Sequence, residues 1–259
     1  GDNSTLSTMS GKHKNSIKIS KVIKYLFGDK YTDRDMFDFT GLYKKALDLS
    51  NKPETKTVSP LQKWVIDTFT ELTTETYPYG HEEEVWPLLK LSGFTKDKYD
   101  NYYKVVGNDS TTMFTSHLDT ASQKKEKTGF RLGQDRKTGD IWAYTDGSTI
   151  LGADDKSGCV VMMHMLSKNI PGIYYFFIGE ERGAIGSYAL ACDYEKYEHL
   201  ANVKKCISFD RRDFYSVITS QLGRPCCSSA FGQSLADQLN LGMSLDPTGV
   251  FTDSASFLD

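Results

Sequence analysis

The sequence lacks a positive charge excess, a long apolar run and a secretory signal, the features that would indicate nucleic-acid binding, a membrane span or secretion. Its 259 residues carry a formal net charge of −3, so there is no positive excess with which to bind a polyanion. The longest strongly apolar run, residues 173–178, falls far short of the roughly 20 residues that cross a bilayer. No secretory signal is visible near the N-terminus. We therefore expect a cytoplasmic protein with neither nucleic acid nor a membrane as a partner, and its oligomeric state is not predicted.

Cysteine is also scarce, with five residues, an odd number, and no Cys-x-x-Cys pair typical of a metal or redox site. This pattern favours reduced thiols in a cytosolic protein. The adjacent Cys226 and Cys227 are expected in a partly buried segment that leads from a loop into a helix. A redox-active pair is the alternative.

What the sequence does contain divides into a polar arm and a longer patterned region. Residues 1–30 are the arm, which carries a set of lysines with no acid among them: Lys12, Lys14, Lys18, Lys21 and Lys24. Apolar residues at helical spacing predict a short amphipathic helix over residues 19–27, and a second helix fits residues 36–50. We expect the arm to dock on the body of the protein, with a membrane or nucleic-acid contact as the alternative. Residues 31–259 are expected to form a single α/β domain.

From residue 59 onward, helix and strand patterns alternate. Ser59-Pro60 is typical of an N-cap followed by proline in the first turn and predicts a helix through residue 72. Strands are predicted at residues 102–106, 113–116, 141–144, 173–179 and 206–209. Helices are predicted at residues 157–168, 184–192 and 228–239. The alternation favours an α/β fold, a three-layer sandwich with a central mixed, largely parallel sheet flanked by helices.

Residues 74–100, between the helix predicted through residue 72 and the strand at residues 102–106, are less regular. They are rich in aromatic side chains and are interrupted by Pro78 and Pro87. For the acidic run Glu82-Glu83-Glu84 we expect a solvated surface patch.

The loop at residues 151–158 carries two adjacent carboxylates, Asp154 and Asp155, between glycines at the mouth of a predicted helix. Deprotonated oxygen ligands on a stiff loop are suited to a hard or borderline metal cation. The same pair would also serve as a cap at the positive N-terminus of a helix. The loop alone does not decide between the two roles.

Further acidic motifs follow predicted strands. His117 and Asp119 come directly after residues 113–116, and side chains two apart in a strand point the same way, as a metal-binding imidazole oriented by a carboxylate requires. Glu180 and Glu181 follow the strand at residues 173–179. Adjacent glutamates repel each other unless a cation lies near, so one suits a metal ligand and the other a proton acceptor. A solvated loop paired with its own Arg182 is the alternative.

Asp210 is the first acidic residue after the last predicted strand. Surface ion pairs with Arg211 and Arg212 are one interpretation. The other is that Asp210 joins the same site, because ligands of open α/β sheets gather outside the carboxyl ends of the strands. The four strand-end and loop motifs together predict a metal site.

In this order, the motifs resemble those of the co-catalytic di-zinc exopeptidases, a clan that includes leucyl-type aminopeptidases, peptidase T and the glutamate carboxypeptidases. The resemblance runs from about residue 59 to the end. It rests on five short motifs: His117-Leu118-Asp119, Gly152-Ala153-Asp154-Asp155-Lys156, Glu180-Glu181-x-Gly183, Asp210 and Thr252-Asp253-Ser254.

The resemblance implies a set of metal ligands. His117, Asp154 and Asp210 match the ligands of one zinc ion. Asp154 would bridge to a second zinc ion, which Glu181 also binds. The resemblance further implies a cis peptide bond between Asp154 and Asp155.

It also implies roles around the ligands. Glu180 matches the general base, and Asp119 matches the residue that orients the histidine. Asp155 and Lys156 are similar to supporting residues. The activity implied is that of a zinc-dependent aminopeptidase that hydrolyses the N-terminal bond of a peptide substrate with a two-metal-activated water. A metallo-carboxypeptidase, an amide deacylase or a catalytically inactive binding homologue is the alternative.

Two departures from the family pattern carry expectations of their own. The interval between Asp210 and Asp253 is too short for the lid or dimerisation domain of several relatives, so we expect the compact leucyl-aminopeptidase-like branch. The family has a final histidine ligand beyond the Thr-Asp-Ser motif, whereas this sequence ends at Asp259. The resemblance therefore implies a catalytic domain that is incomplete at its C-terminus, with a second zinc site that lacks its histidine.

Overall fold

The computed structural model describes residues 16–18, 60–108, 111–134, 141–212 and 215–258. At its centre is a five-stranded sheet, with strands numbered along the chain: β2 (Thr95–Lys96), β3 (Tyr102–Val106), β4 (Thr112–His117), β7 (Gly172–Phe177) and β8 (Lys205–Ser208). Their order in the sheet is β2-β3-β7-β4-β8. β4 runs parallel to both β7 and β8, and β3 runs antiparallel to β7. The three parallel strands therefore end at one edge of the sheet.

The central strand β7 separates two apolar cores. All six of its residues are buried, and their side chains alternate between the two faces of the sheet. Tyr174 and Phe176 pack in the core formed with α1 (Pro60–Thr73) and α3 (Ala153–Ser167). Ile173, Tyr175 and Phe177 of the same strand pack on the opposite face with Leu190 of α4 (Ile185–Cys192). A strand covered on both faces needs this continuous apolar composition.

The predicted α/β fold, with a mixed, largely parallel sheet flanked by helices, is confirmed. The predicted strands at residues 102–106 and 141–144 have the bounds seen in the structure. Residues 141–144, however, form β6 in a separate antiparallel sheet with β1 (Ser16–Lys18) and β5 (Arg131–Gln134). The helices predicted over residues 19–27 and 36–50 lie outside the described residues. Where the chain is described, no helix has the length and apolar character to span a membrane.

The last part of the described chain forms a smaller unit. Its elements are β9 (Ser216–Ile218), β10 (Ser220–Gln221), β11 (Arg224–Pro225), α5 (Ser229–Leu239) and β12 (Ser244–Asp246). β9 and β12 pair in parallel, and α5 packs on both of them. The helix begins after Ser228, whose Oγ accepts a hydrogen bond from the amide of Phe231 at 3.1 Å. Cys226 and Cys227 lie just before it, partly buried and free.

The acidic run at the start of α2 (Glu82–Val85) differs from the predicted solvated patch. Glu83 and Glu84 are exposed, but Glu82 is only 4% exposed. Its Oε2 accepts a hydrogen bond from the amide of Gly80 at 2.7 Å, and its Oε1 accepts one from the amide of Gly179 at 3.2 Å. The prediction was wrong for this residue because its partners are backbone amides, one of which lies 97 residues further along the chain.

Candidate metal centre

His117 is the last residue of β4, and its side chain is completely buried. Its Nε2 faces three carboxylates, at 3.1 Å from Oδ1 of Asp154, 3.9 Å from Oε2 of Glu180 and 4.0 Å from Oδ2 of Asp210. The loop before α3, the turn after β7 and the end of β8 thus deliver one carboxylate each to the same imidazole. Their meeting point is the edge where the parallel strands end.

The orientation of the imidazole is set by Asp119. Nδ1 of His117 lies 3.1 Å from the backbone carbonyl of Asp119 and 3.4 Å from its carboxylate Oδ1. A carbonyl oxygen can only accept a hydrogen bond, so Nδ1 carries the proton and Nε2 is the atom left to bind a cation. The buried Asp119 carboxylate also accepts hydrogen bonds from the amides of Glu180 at 3.0 Å and Glu181 at 3.1 Å. One side chain therefore joins the end of β4 to the turn after β7.

The two adjacent aspartates of the loop at residues 151–158 have different roles. The side chain of Asp154 is 70% exposed and faces His117. Asp155 is buried, and its Oδ1 accepts a hydrogen bond from the amide of Gly158 at 3.0 Å. Both aspartates have non-helical backbone angles, so the regular part of α3 starts after Asp155, which caps it. The peptide bond between them is cis, as the family resemblance implied.

Beneath this loop lies Lys156, whose side chain is completely buried. Its ammonium group donates a hydrogen bond to the backbone carbonyl of Leu118, the residue between His117 and Asp119. The pKa of the buried Asp119 carboxyl is lowered, against the effect of burial, mainly by its contact with His117 and by the amide of Glu180, with a smaller contribution from the charge of Lys156. Lys156 thus supports the histidine motif from below.

Glu180 and Glu181 lie in a single 3-10 turn between Gly179 and Gly183. Both glycines have a positive φ, of 65° and 93°, which lets the chain reverse within three residues. Within the described ranges, Arg182 forms an ion pair with neither glutamate and its side chain is exposed. The alternative of a solvated loop neutralised by its own arginine is therefore disfavoured.

Asp210 follows β8 and is mostly buried, with 13% of its side chain exposed. The neighbouring Arg211 binds Asp246 instead, at 2.7 Å. The structure thus brings five of the six predicted side chains together in two sets that share His117, and Asp119 contacts that histidine from behind. The ligand atoms of each set lie within 4.8 Å of one another: His117, Asp154 and Asp210, and His117, Glu180 and Glu181.

The crowding of these acids raises several of their pKa values. Burial, together with the charges of neighbouring carboxylates, raises the pKa of Glu180 to about 8, of Glu181 to about 7 and of Asp210 to about 6. Burial alone would lower the pKa of His117, but its hydrogen bonds to carboxylates raise it well above the usual value. Acids gathered around one imidazole form a donor set of nitrogen and oxygen that fits zinc, and a cation would relieve their mutual repulsion.

In the metal-free protein, the stability is expected to fall as the pH rises from about 5 to about 8. Each raised carboxyl binds more protons in the folded state than in the unfolded state, whose carboxyl pKa values lie near 4. That stabilisation is lost as the pH rises through the folded values, about 6 for Asp210, about 7 for Glu181 and about 8 for Glu180. The raised pKa of His117 acts in the same direction, since its contribution is complete below about 6.5 and is lost above.

The melting temperature of chelator-treated protein across this pH range measures the effect. Added zinc should flatten the profile, because metal binding needs deprotonated ligands and replaces their protons. A melting temperature that rises with pH in the metal-free protein would contradict this account of the acidic cluster.

A cavity of about 1110 Å³ opens from the centre toward the C-terminal unit. Asp154, Glu180 and Asp210 line one end of it. Elsewhere its walls are largely apolar, with contributions from β8 and α5. A few convergent polar groups at one end of an apolar cleft are typical of a ligand site.

Two residues near the centre have no role predicted from the sequence. The prediction for Glu82 is a solvated side chain, and Asp253 enters only through the Thr-Asp-Ser motif. Asp253 is 1% exposed, and burial, with the charges of Asp210 and Asp119, raises its pKa to about 7. The only signal for Asp253 was its Thr-Asp-Ser motif. For Glu82 the sequence gives none, since its two neighbours are also glutamates.

Comparisons with known proteins found a partial relative in sequence and solved structures that share the fold. No protein-family model matches the chain. The uncharacterized protein YqjE of Bacillus subtilis (strain 168) is 31% identical over 153 residues, which is 50% of this chain and 39% of that protein. The match thus spans well under half of the length of this curated relative.

Two solved structures share the fold. A TET1 peptidase of Pyrococcus horikoshii, which can assemble into a tetrahedron or a large octahedral shell, has a TM-score of 0.52 at 14% identity over 74% of this chain and 87% of that chain. The structure described as PhTET1-12s, a dodecamer, has a TM-score of 0.52 at 13% identity over 74% of this chain and 86% of that chain. At such identities the likeness establishes the fold alone.

Proposed function

We propose that this protein is a zinc-dependent exopeptidase, and within that class an aminopeptidase that hydrolyses the N-terminal bond of peptides. The observation that carries the proposal is the convergence of two sets of ligand atoms on His117, each within 4.8 Å. The motif resemblance and the fold shared with the TET1 peptidase of Pyrococcus horikoshii support it. A cytoplasmic location is part of the proposal, and five free cysteines suit a reducing compartment.

In the proposed reaction, each residue of the centre has its own role. His117, Asp154 and Asp210 would hold one zinc ion, and Asp154 and Glu181 would hold a second. When bound, the ions would polarise the scissile carbonyl and lower the pKa of the attacking water toward about 7. Glu180 takes the proton from that water and returns it to the leaving amine. Asp119 keeps the imidazole in place, and the apolar walls of the cavity receive the peptide.

The test is hydrolysis of a panel of aminoacyl fluorogenic substrates by purified protein, before and after a zinc chelator. We expect activity on substrates with a free N-terminus, its loss with chelator and its return with added zinc. Parallel assays with N-blocked peptides and with N-acyl amino acids separate the alternatives. Cleavage of only the N-blocked peptides would identify a carboxypeptidase. Cleavage of only the N-acyl amino acids would identify a deacylase. Zinc binding without any hydrolysis would identify a binding homologue, and activity that resists the chelator would contradict the metal mechanism.

A further inference from the structure

Glu82 is a buried carboxylate. Among the described residues, no lysine, arginine or histidine forms an ion pair with it, although its charge acts on the buried ammonium group of Lys156. Its two oxygens are instead bound by the backbone amides of Gly80 and Gly179. A buried carboxyl group is unfavourable unless it is well hydrogen-bonded, and its pKa is raised by burial. These two hydrogen bonds therefore offset part of the free-energy cost of burying the Glu82 carboxyl group.

The contact with Gly179 belongs to a larger arrangement. Three consecutive amides of the turn after β7 donate to buried carboxylates, that of Gly179 to Glu82 and those of Glu180 and Glu181 to Asp119. Successive backbone amides that point to one side form a concave site for negative charge. Here two carboxylates from different elements fill it.

The first residue of the turn has no room for a side chain. Gly179 has a φ of 65°, and a Cβ atom there would lie 2.9 Å from the ring of Tyr79 and 3.1 Å from Ile185. The peptide plane after Gly179 sets the direction in which the next two side chains leave the backbone. These side chains are the two glutamates of the candidate centre.

We propose that Glu82 is a positioning residue which, together with Asp119, fixes the turn that aims Glu180 and Glu181 at the metal centre. The inference rests on the proposed function for its catalytic consequence. It predicts a selective effect, because Glu82 touches the turn but not the ligand set of His117, Asp154 and Asp210. Weakening the turn should loosen the ion held through Glu181 and misplace the base, while the other ion stays bound.

The variant Glu82→Gln tests this proposal. Glutamine has the same shape, but only one of its two terminal atoms accepts a hydrogen bond, so one of the two amides is left facing a donor. Glu83→Gln is the matched control, since it removes the same charge at the next residue, whose side chain is 76% exposed and pairs with Lys96.

The first measurement is residue-resolved amide hydrogen exchange on metal-free protein. We expect exchange at Gly179, Glu180 and Glu181 to be faster in Glu82→Gln by about tenfold or more, as for the loss of a charge-assisted hydrogen bond. The control should match the wild type. Unchanged protection at these three amides would overturn the proposal.

The second measurement is titration with Co²⁺, followed by its absorption spectrum. We expect the weaker of the two binding steps to lose about 10- to 100-fold in affinity, the usual effect of removing a partner that orients ligands. The tighter step and its spectrum should not change, and kcat should fall more than KM rises. An equal loss at both steps would assign Glu82 to stability alone and overturn the proposal.

Glu82→Asp covers the case in which Glu82→Gln does not fold. It keeps the charge but is one methylene shorter, so it reaches one amide less well, and we expect the same changes at smaller size. Loss of the whole fold in both variants would overturn the positioning role. If the wild type binds no metal or cleaves no peptide, the proposed function fails, while the exchange rates in metal-free protein still decide the role of Glu82.

Discussion

Replacing Glu180 with glutamine is expected to lower the turnover of the proposed peptidase by about 10²-fold or more, with the zinc content unchanged. The amide has the same shape as the carboxylate but cannot take the proton of the attacking water. The closest carboxylate oxygen of Glu180 lies 3.9 Å from Nε2 of His117, beside the ligand set of His117, Asp154 and Asp210. The assignment of Glu180 to proton transfer and not to metal binding follows the motif resemblance, which this variant tests.

The variant Glu181→Gln, at the next residue, is the comparison for Glu180→Gln. It removes a proposed ligand, so zinc content should fall together with activity. Metal analysis of both variants, alongside initial rates on the same substrate, measures the difference. If Glu180→Gln loses zinc while Glu181→Gln retains it, the two roles are reversed.

The second large effect is expected at the aspartate pair in the non-helical first turn of α3. Asp154→Asn should weaken binding of both zinc ions by more than about 100-fold, because even outer partners of metal ligands contribute 10- to 100-fold. The melting temperature of the metal-free variant should change little, since the Asp154 side chain is largely exposed.

Asp155→Ala should give the opposite result. Asp155 caps the regular part of α3 through the amide of Gly158, and loss of such a cap lowers stability by about 1 kcal/mol. Zinc stoichiometry in this variant should be retained. Isothermal titration and thermal melts of the two variants provide the comparison. Equal zinc loss from both variants would contradict the division of roles between the two neighbours.

The sequence predicts an element reliably where all of its side chains share one environment, so that one type of residue runs through the whole element. Residues 173–178 are apolar without interruption, and the strand found there is buried on both faces. The motifs that follow the parallel strands β4, β7 and β8 were expected to meet because parallel strands end at the same edge. The structure brings them together there.

Other features depend on partners that sequence spacing does not reveal. Residues 141–144 have a strand pattern, but nothing in them indicates that they pair with β1 and β5 and not with the central sheet. The strands of the C-terminal unit are two or three residues long, shorter than the runs that periodicity detects. Glu82 is buried against the amide of Gly179, 97 residues away in sequence, whereas its identical neighbours are exposed.

The parallel pairing of β4 with β8 has a consequence for the order of folding. Thr115 and Ser208, which are neighbours across the two strands, are 93 residues apart in sequence. Contacts of such separation form slowly, since a long loop must close before they are gained. Asp210 therefore joins the other ligands only once this pairing has formed, and a folding transition state that lacks the pairing lacks the complete zinc site. Zinc would then prolong the lifetime of the native state while leaving the refolding rate nearly unchanged.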